Sequence, residues 1–437
     1  RRMQKPLAVA LSLSLAVGLA QEQRIAIQFW HSMGGSLGEA TQELVNRFNA
    51  SQDRVTVKAQ YVGDYDDGIN KLLAALRSKN PPHLVQIYDV GTRLMVDSGA
   101  TLAVQDLIQR DQLDLGRFLR QPLNYYTVDG KLQSMPFNSS TPLIYFNLNA
   151  LQEAGIKPRQ EWTFEELAQV ARKLTKRDKE GKVIRYGIAL ANNNWFLEQV
   201  SYNNGFYYCN NENGRKARAT EVLLDNPAVQ RYFQWFLDLY KEGVLLYVGR
   251  RTPDSQSAFA TGKAAITFDS TAVLGGVTRT VGGKFRIYTG YFPYFEQFGR
   301  TGVSIGGASL WVLKDFPQAE TEAAWSFVKW LVQPEQQAAW HLRTGYFPLR
   351  VESLELPEVR KVHRENTNYT TAIQQLRTSK VSNVTAGCLM GSFPEIRQLS
   401  EQALEAALQG KPIPEALAEA KDRADAALAR YNRTVGR

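Results

Sequence analysis

A chain of 437 residues is too long for one ordinary core, and two domains are expected. Its 44% hydrophobic and 22% charged residues exclude a disordered chain and a membrane-embedded one. The net charge of +9 is a mild bias towards anions, but acids and bases are interspersed without long single-sign blocks, so no nucleic-acid partner is expected.

The first segment, "RRMQKPLAVALSLSLAVGLA", has a basic start, an apolar run from Leu7 to Leu19 and small residues before Gln21. It predicts a secretory signal peptide over 1–20, cleaved after Ala20. The run is shorter than the ~20 residues that span a bilayer. "RIAIQFW" then reads as a strand, and "EATQELVNRFNAS" as a helix with Leu44, Val45 and Phe48 on one face. "VTVKAQYV", "DDGINKLLAALRSKN" and "PPHLVQIYDVG" continue as strand, helix and strand. This alternation predicts a largely parallel sheet with helices on both faces and a ligand beyond the strand ends. Trp30–Met33, Gly63–Tyr65 and Asp89–Thr92 occupy such ends.

Further on, Trp162–Leu174 reads as a helix capped by Thr163, and "PAVQRYFQWFLDLYKEG" as one closed by Gly243. "GKAAITFDST" and "SIGGASLWVL" are strands. "AETEAAWSFVKWLVQPEQQAAWHLRTG" predicts two helices joined at Pro334, and the chain closes on a long helix. The nineteen Tyr, twenty Phe and eight Trp suit polyol or sugar-like ligands, although most such rings build cores. Cys209 and Cys388 can pair in an exported protein, and the sequence leaves this open. His31, His83, His341 and His363 lack ligand spacing, so no metal is expected.

Two stretches carry candidate chemistry. "GGSLG" at 34–38 matches a G-x-S-x-G nucleophile elbow between strand and helix, which makes an exported esterase using Ser36 the rival from another class. No feature brings a histidine and an acid to Ser36. "PFNSSTP" at 136–142 is either a turn or a crossover whose Ser139, Ser140 and Thr141 face a ligand. Other polar groups on loops beside glycine are Tyr65, Asp89, Ser270, Gly306, Gly307, Tyr346 and Arg397. No P-loop and no dinucleotide fingerprint occur, and no cofactor is expected.

"FWHSMGGSLG", "GDYDDG", "YDVGT", "PFNSSTP", "YVGR", "IGGASLWV" and "TGYFP" together resemble the glycerol-3-phosphate-binding proteins of ABC importers, within the extracellular solute-binding proteins. The resemblance runs from about Ile25 to the end. It implies an α/β, two-lobed periplasmic-binding-protein fold with a three-crossing hinge, maltose-binding-protein-like (type II). The lobes it implies are 21–138 with 272–333, and 139–271 with 334–437. It places ligand contacts on Tyr65, Asp89, Ser140, Ser270, Gly307, Tyr346 and Arg397, with Asp89 standing where the family usually has glutamate. The family carries two tryptophans where this chain reads "ALANNNWFLEQ". Trp195 supplies one, and Ala or Asn replaces the other. The lost ring implies room for a glycerophosphodiester such as glycerophosphocholine beside glycerol-3-phosphate. The function implied is a monomeric, non-enzymatic receptor in the periplasm or outside the cell, serving membrane permease subunits. A receptor for another sugar or anion is the alternative within the class.

Overall fold

Alternating apolar residues put Ile27 and Phe29 of strand Ile25–His31 into the core, and a computed structural model describes this and everything else in residues 23–436. The expected signal peptide over 1–20 lies outside the described residues. The first sheet runs Val55–Tyr61, Ile25–His31, Leu84–Tyr88, Gly306–Leu313, Thr101–Leu102, with Met135–Ser140 also paired to Gly306–Leu313. The second runs Leu245–Tyr247, Val183–Leu190, Ala264–Ser270, Pro142–Asn147, Ile287–Tyr291.

Neither sheet is largely parallel, which corrects the expectation from alternation. Parallel pairing is confined to the strand–helix–strand units. Gly306–Leu313 is antiparallel to all its neighbours, and Pro142–Asn147 to both of its own. These strands arrive from the other sheet instead of through a local helical crossover, so nothing forces them parallel.

The helices are built as their ends predict. Thr163 accepts from the Glu166 N–H at 3.0 Å while the Glu166 carboxylate accepts from the Thr163 N–H at 3.3 Å, a reciprocal cap on Phe164–Leu174. That helix starts two residues later than Trp162 and buries Phe164, Leu167, Ala171 and Leu174. Asn226 caps Pro227–Lys241, whose Tyr232, Phe233, Phe236 and Leu239 face the core. Gly243 beyond it takes φ +75°, where other residues are strained. The two helices met at Pro334 are Gln318–Leu331 and Pro334–Thr344.

The passage between sheets differs from the implied lobe limits. The first handover is at Thr141, between strands Met135–Ser140 and Pro142–Asn147. The second is not at 272. Ser270 only caps the turn Thr271–Val273, and Ile287–Tyr291 returns to the second sheet, so the chain changes sheet between Tyr291 and Gly306. Residue 334 is not a handover either, because Trp340 stacks on Phe137 in the first sheet's core at 4.9 Å. Cys209 and Cys388 form a disulfide, which ties the segment ahead of helix Phe393–Leu408 to the second-sheet side. Among the described residues no helix is long and apolar enough to cross a membrane.

Candidate functional site

Three strand ends point the chain into one space. Ser32 follows Ile25–His31, Asp89 follows Leu84–Tyr88, and Ser270 ends Ala264–Ser270. They line a cavity of about 480 Å³ between the two sheets. All eight residues singled out from the sequence line it: Tyr65, Asp89, Ser140, Trp195, Ser270, Gly307, Tyr346 and Arg397. Of the hydroxyls in "PFNSSTP", only Ser140 does. Ser139 is fully buried away from it, and Thr141 is a latch: its carbonyl accepts the Thr271 N–H at 3.0 Å and the Thr271 hydroxyl at 2.8 Å. Gly306 gives Trp195 room, since a Cβ there would lie 2.5 Å from the indole.

On the first-sheet side the site is a neutral network. Asn138, fully buried, donates through Nδ2 to the Tyr65 hydroxyl at 2.9 Å and the Tyr346 hydroxyl at 3.1 Å. Its Oδ1 accepts from Gln86 Nε2 at 2.8 Å, and Gln86 Oε1 accepts the Ser32 N–H at 2.8 Å. Burial raises both tyrosines, Tyr65 well above its ordinary value, so each keeps its proton and can donate into the cavity. The Tyr65 ring stacks on Tyr88 with centroids 5.2 Å apart. Gly307 adopts φ +98°, and a Cβ on it would meet the Asn138 carbonyl at 1.8 Å. Only glycine fits.

The charged groups come from both sides: Asp64 and Asp89 follow first-sheet strands, whereas Asp269 ends a second-sheet strand and Arg397 sits on helix Phe393–Leu408. Arg397 donates from Nε and Nη2 to the two carboxylate oxygens of Glu198 at 2.9 and 2.8 Å. Burial works to depress this guanidinium, but Glu198 and Asp89 more than offset it and hold Arg397 well above its ordinary value. Asp89 is pushed up to about 7 by burial, against the pull of Arg397 and with the help of Glu198. Burial also raises Asp269 to about 7, its backbone bond to the Ser270 N–H opposing. Among the described residues Arg397 is the one basic residue lining the cavity, against Asp64, Asp89 and Asp269.

The tryptophan replacement needs a correction by position. Ala191 is buried at the end of Val183–Leu190, and Asn192 spends its Nδ2 on the Glu401 carbonyl at 2.8 Å. Asn194 donates to Glu198 at 2.7 Å. The residue of Ala191–Asn194 that lines the cavity is Asn193, whose Oδ1 caps the Trp195 N–H at 3.0 Å. Ser36 sits elsewhere. Its hydroxyl accepts from Arg279 at 2.8 Å and Arg343 at 3.4 Å, and no imidazole is among its partners. Sequence reading missed Asn138, Asn193, Glu198 and Asp269. The last lies beside the "FDST" serine it did single out, while nothing local marks Glu198.

A family model described as bacterial extracellular solute-binding protein matches residues 43–378. The sn-glycerol-3-phosphate-binding periplasmic protein UgpB of Escherichia coli (strain K12) is 31% identical over 443 residues, covering 99% of each chain. Among solved structures, UgpB from Mycobacterium tuberculosis in complex with glycerophosphocholine matches with a TM-score of 0.78 at 22% identity, covering 93% of this chain and 99% of that one. The sugar-binding protein MalE from Xanthomonas citri matches with a TM-score of 0.74 at 19% identity, covering 94% and 99%. The fold is that of the two-lobed, maltose-binding-protein-like periplasmic binding proteins.

Proposed function

The chain belongs to the bacterial extracellular solute-binding proteins, and from that premise we propose that it is the exported, periplasmic receptor of an ABC importer for glycerol-3-phosphate and its diesters. It captures the ligand between two lobes, closes on it, and delivers it as a monomer to membrane permease subunits, without chemical turnover. Closure needs no motor, because a ligand that touches both walls stabilises the arrangement in which they are near.

The observation that carries this reading is the convergence of Arg397, Tyr65, Tyr346, Ser140 and Gly307 on one cavity. A phosphate oxygen is met by the part of the guanidinium that Glu198 leaves free, by hydroxyl donors, and by backbone brought close at glycine. Asp89 and Ser270 accept from glycerol hydroxyls. One cation faces three carboxyl side chains, so a zwitterionic diester such as glycerophosphocholine fits the charges better than a phosphate dianion.

The test is calorimetric titration with glycerol-3-phosphate, glycerophosphocholine, inorganic phosphate and maltose. The two glycerol esters are expected to bind and to be recovered intact. Arg397→Ala should weaken both by about 2–5 kcal/mol, with Arg397→Lys recovering only part. Binding of maltose alone would overturn the reading. Ester cleavage abolished by Ser36→Ala would replace it with the hydrolase.

A further inference from the structure

Glu198 is 3% exposed, does not line the cavity, and is fully committed. Two donors come from Arg397, and a third from Asn194 Nδ2 at 2.7 Å. A carboxylate forked onto a guanidinium cancels its charge and fixes its plane. The same chain shows the alternative. Arg215 is held by four backbone carbonyls, those of Gly387 at 2.8 Å, Tyr125 at 2.8 Å, Ala386 at 2.6 Å and Asn124 at 3.2 Å, with no carboxylate among its partners. A guanidinium can thus be held here with no carboxylate compensating its charge, whereas Arg397, still protonated, is compensated by Glu198.

We propose that Glu198 is a positioning residue that sets the charge class of the ligand: by holding one edge of Arg397 it cancels the cavity's single basic group and selects phosphodiesters over dianionic monoesters. This rests on the receptor reading above and deepens it. A monoester brings a charge of about −1.5 to −2 at neutral pH, whereas a diester brings one negative charge that a cationic head group balances. With the charge of Arg397 already balanced by Glu198, the monoester's second charge meets no uncompensated cation in the lining and faces Asp64, Asp89 and Asp269. The field of Glu198 acts on Arg397, Asp89, Glu401, Tyr202 and Tyr208, and among the described residues its ion-pair partner is Arg397.

The experiment compares dissociation constants of the full chain for glycerol-3-phosphate and glycerophosphocholine, with and without Glu198→Gln, which keeps a hydrogen-bond acceptor for Arg397 and drops the charge. The unaltered protein should bind the diester at least as tightly. In the variant the ratio should move towards the monoester by about tenfold or more. A ratio unmoved, even with both ligands equally weakened, marks a merely structural residue and overturns the proposal. On the unaltered protein, the ratio should also move towards the monoester as pH falls from about 7.5 to about 5.5, because the monoester then loses its second charge and Asp89 and Asp269, both raised to about 7 by burial, take up protons. This arm decides if circular dichroism shows the variant unfolded, and a flat ratio overturns the proposal. Binding of neither ester by the unaltered protein brings down the receptor reading itself, and the proposal with it.

Discussion

The two walls of the cavity are built on opposite plans. On the first-sheet wall, Ser32, Gln86, Asn138, Tyr65 and Tyr346 form one chain of neutral hydrogen bonds. The second-sheet wall contains Trp195 Nε1 and Asp269 Oδ2, both buried without a hydrogen-bond partner in the protein, and sits beside the Arg397–Glu198 pair. A satisfied network holds side chains in one geometry, whereas unpaired groups are costly until something pairs them. The first wall holds a satisfied template beside Asp64 and Asp89, and the second adds the unpaired groups and the one guanidinium.

Breaking the template should have the largest effect. Asn138→Leu strands the Tyr65 and Tyr346 hydroxyls and Gln86 Nε2, and is expected to cost about 3 kcal/mol of stability, read in chemical denaturation, along with ligand affinity. Unchanged stability would show that the wall is held by something else.

A smaller effect tests a titrating group at a strand end of the first sheet. Asp89 has its folded-state value raised by burial to about 7, above the ordinary aspartate value of about 3.9. Between these values the folded chain holds a proton that the unfolded chain has lost. Stability from this group is therefore full below about pH 4 and falls as pH rises to 7, by at most about 1.4 kcal/mol per pH unit. His31 and His341, both lowered to about 4 by burial, act in the opposite sense, so the readout is the difference between the protein and Asp89→Asn. The variant should gain about 2 kcal/mol relative to the protein between pH 5 and pH 7. A pH-independent difference would show that Asp89 is ionised throughout.

The smallest effect on stability sharpens the second wall. Asn193→Trp removes the cap on Asn194–Asn203, at about 1 kcal/mol, and puts a ring into the cavity. Glycerophosphocholine should lose about tenfold in affinity relative to glycerol-3-phosphate. Equal losses would place the diester head group elsewhere.

Much of this was legible along the chain. The Thr163 cap, the Gly243 helix end and the strand-end loops are local signals, and local signals located Tyr65 and Asp89. Gly307, Tyr346 and Arg397 stood out singly as polar or glycine positions on loops, and the resemblance assigned them to one ligand. What stayed hidden depends on distance in sequence: Glu198 meets Arg397 across 199 positions, and no spacing rule reaches that far. "PFNSSTP" drew attention to its hydroxyls, yet its Asn138 organises the wall while Ser139 and Thr141 are buried. The return at 272, implied by resemblance alone, falls instead after Tyr291, because Ser270 caps a helical turn that leads back to the second sheet.

The bond between Cys209 and Cys388 closes a loop across 179 positions. A crosslink of that span restricts the unfolded chain by roughly 5 kcal/mol in the loop-entropy account. Reducing cytosol does not make such bonds. A newly made chain awaiting translocation lacks that increment, and the finished protein possesses it. The same sequence is therefore looser where thiols stay reduced and firmer where they are oxidised.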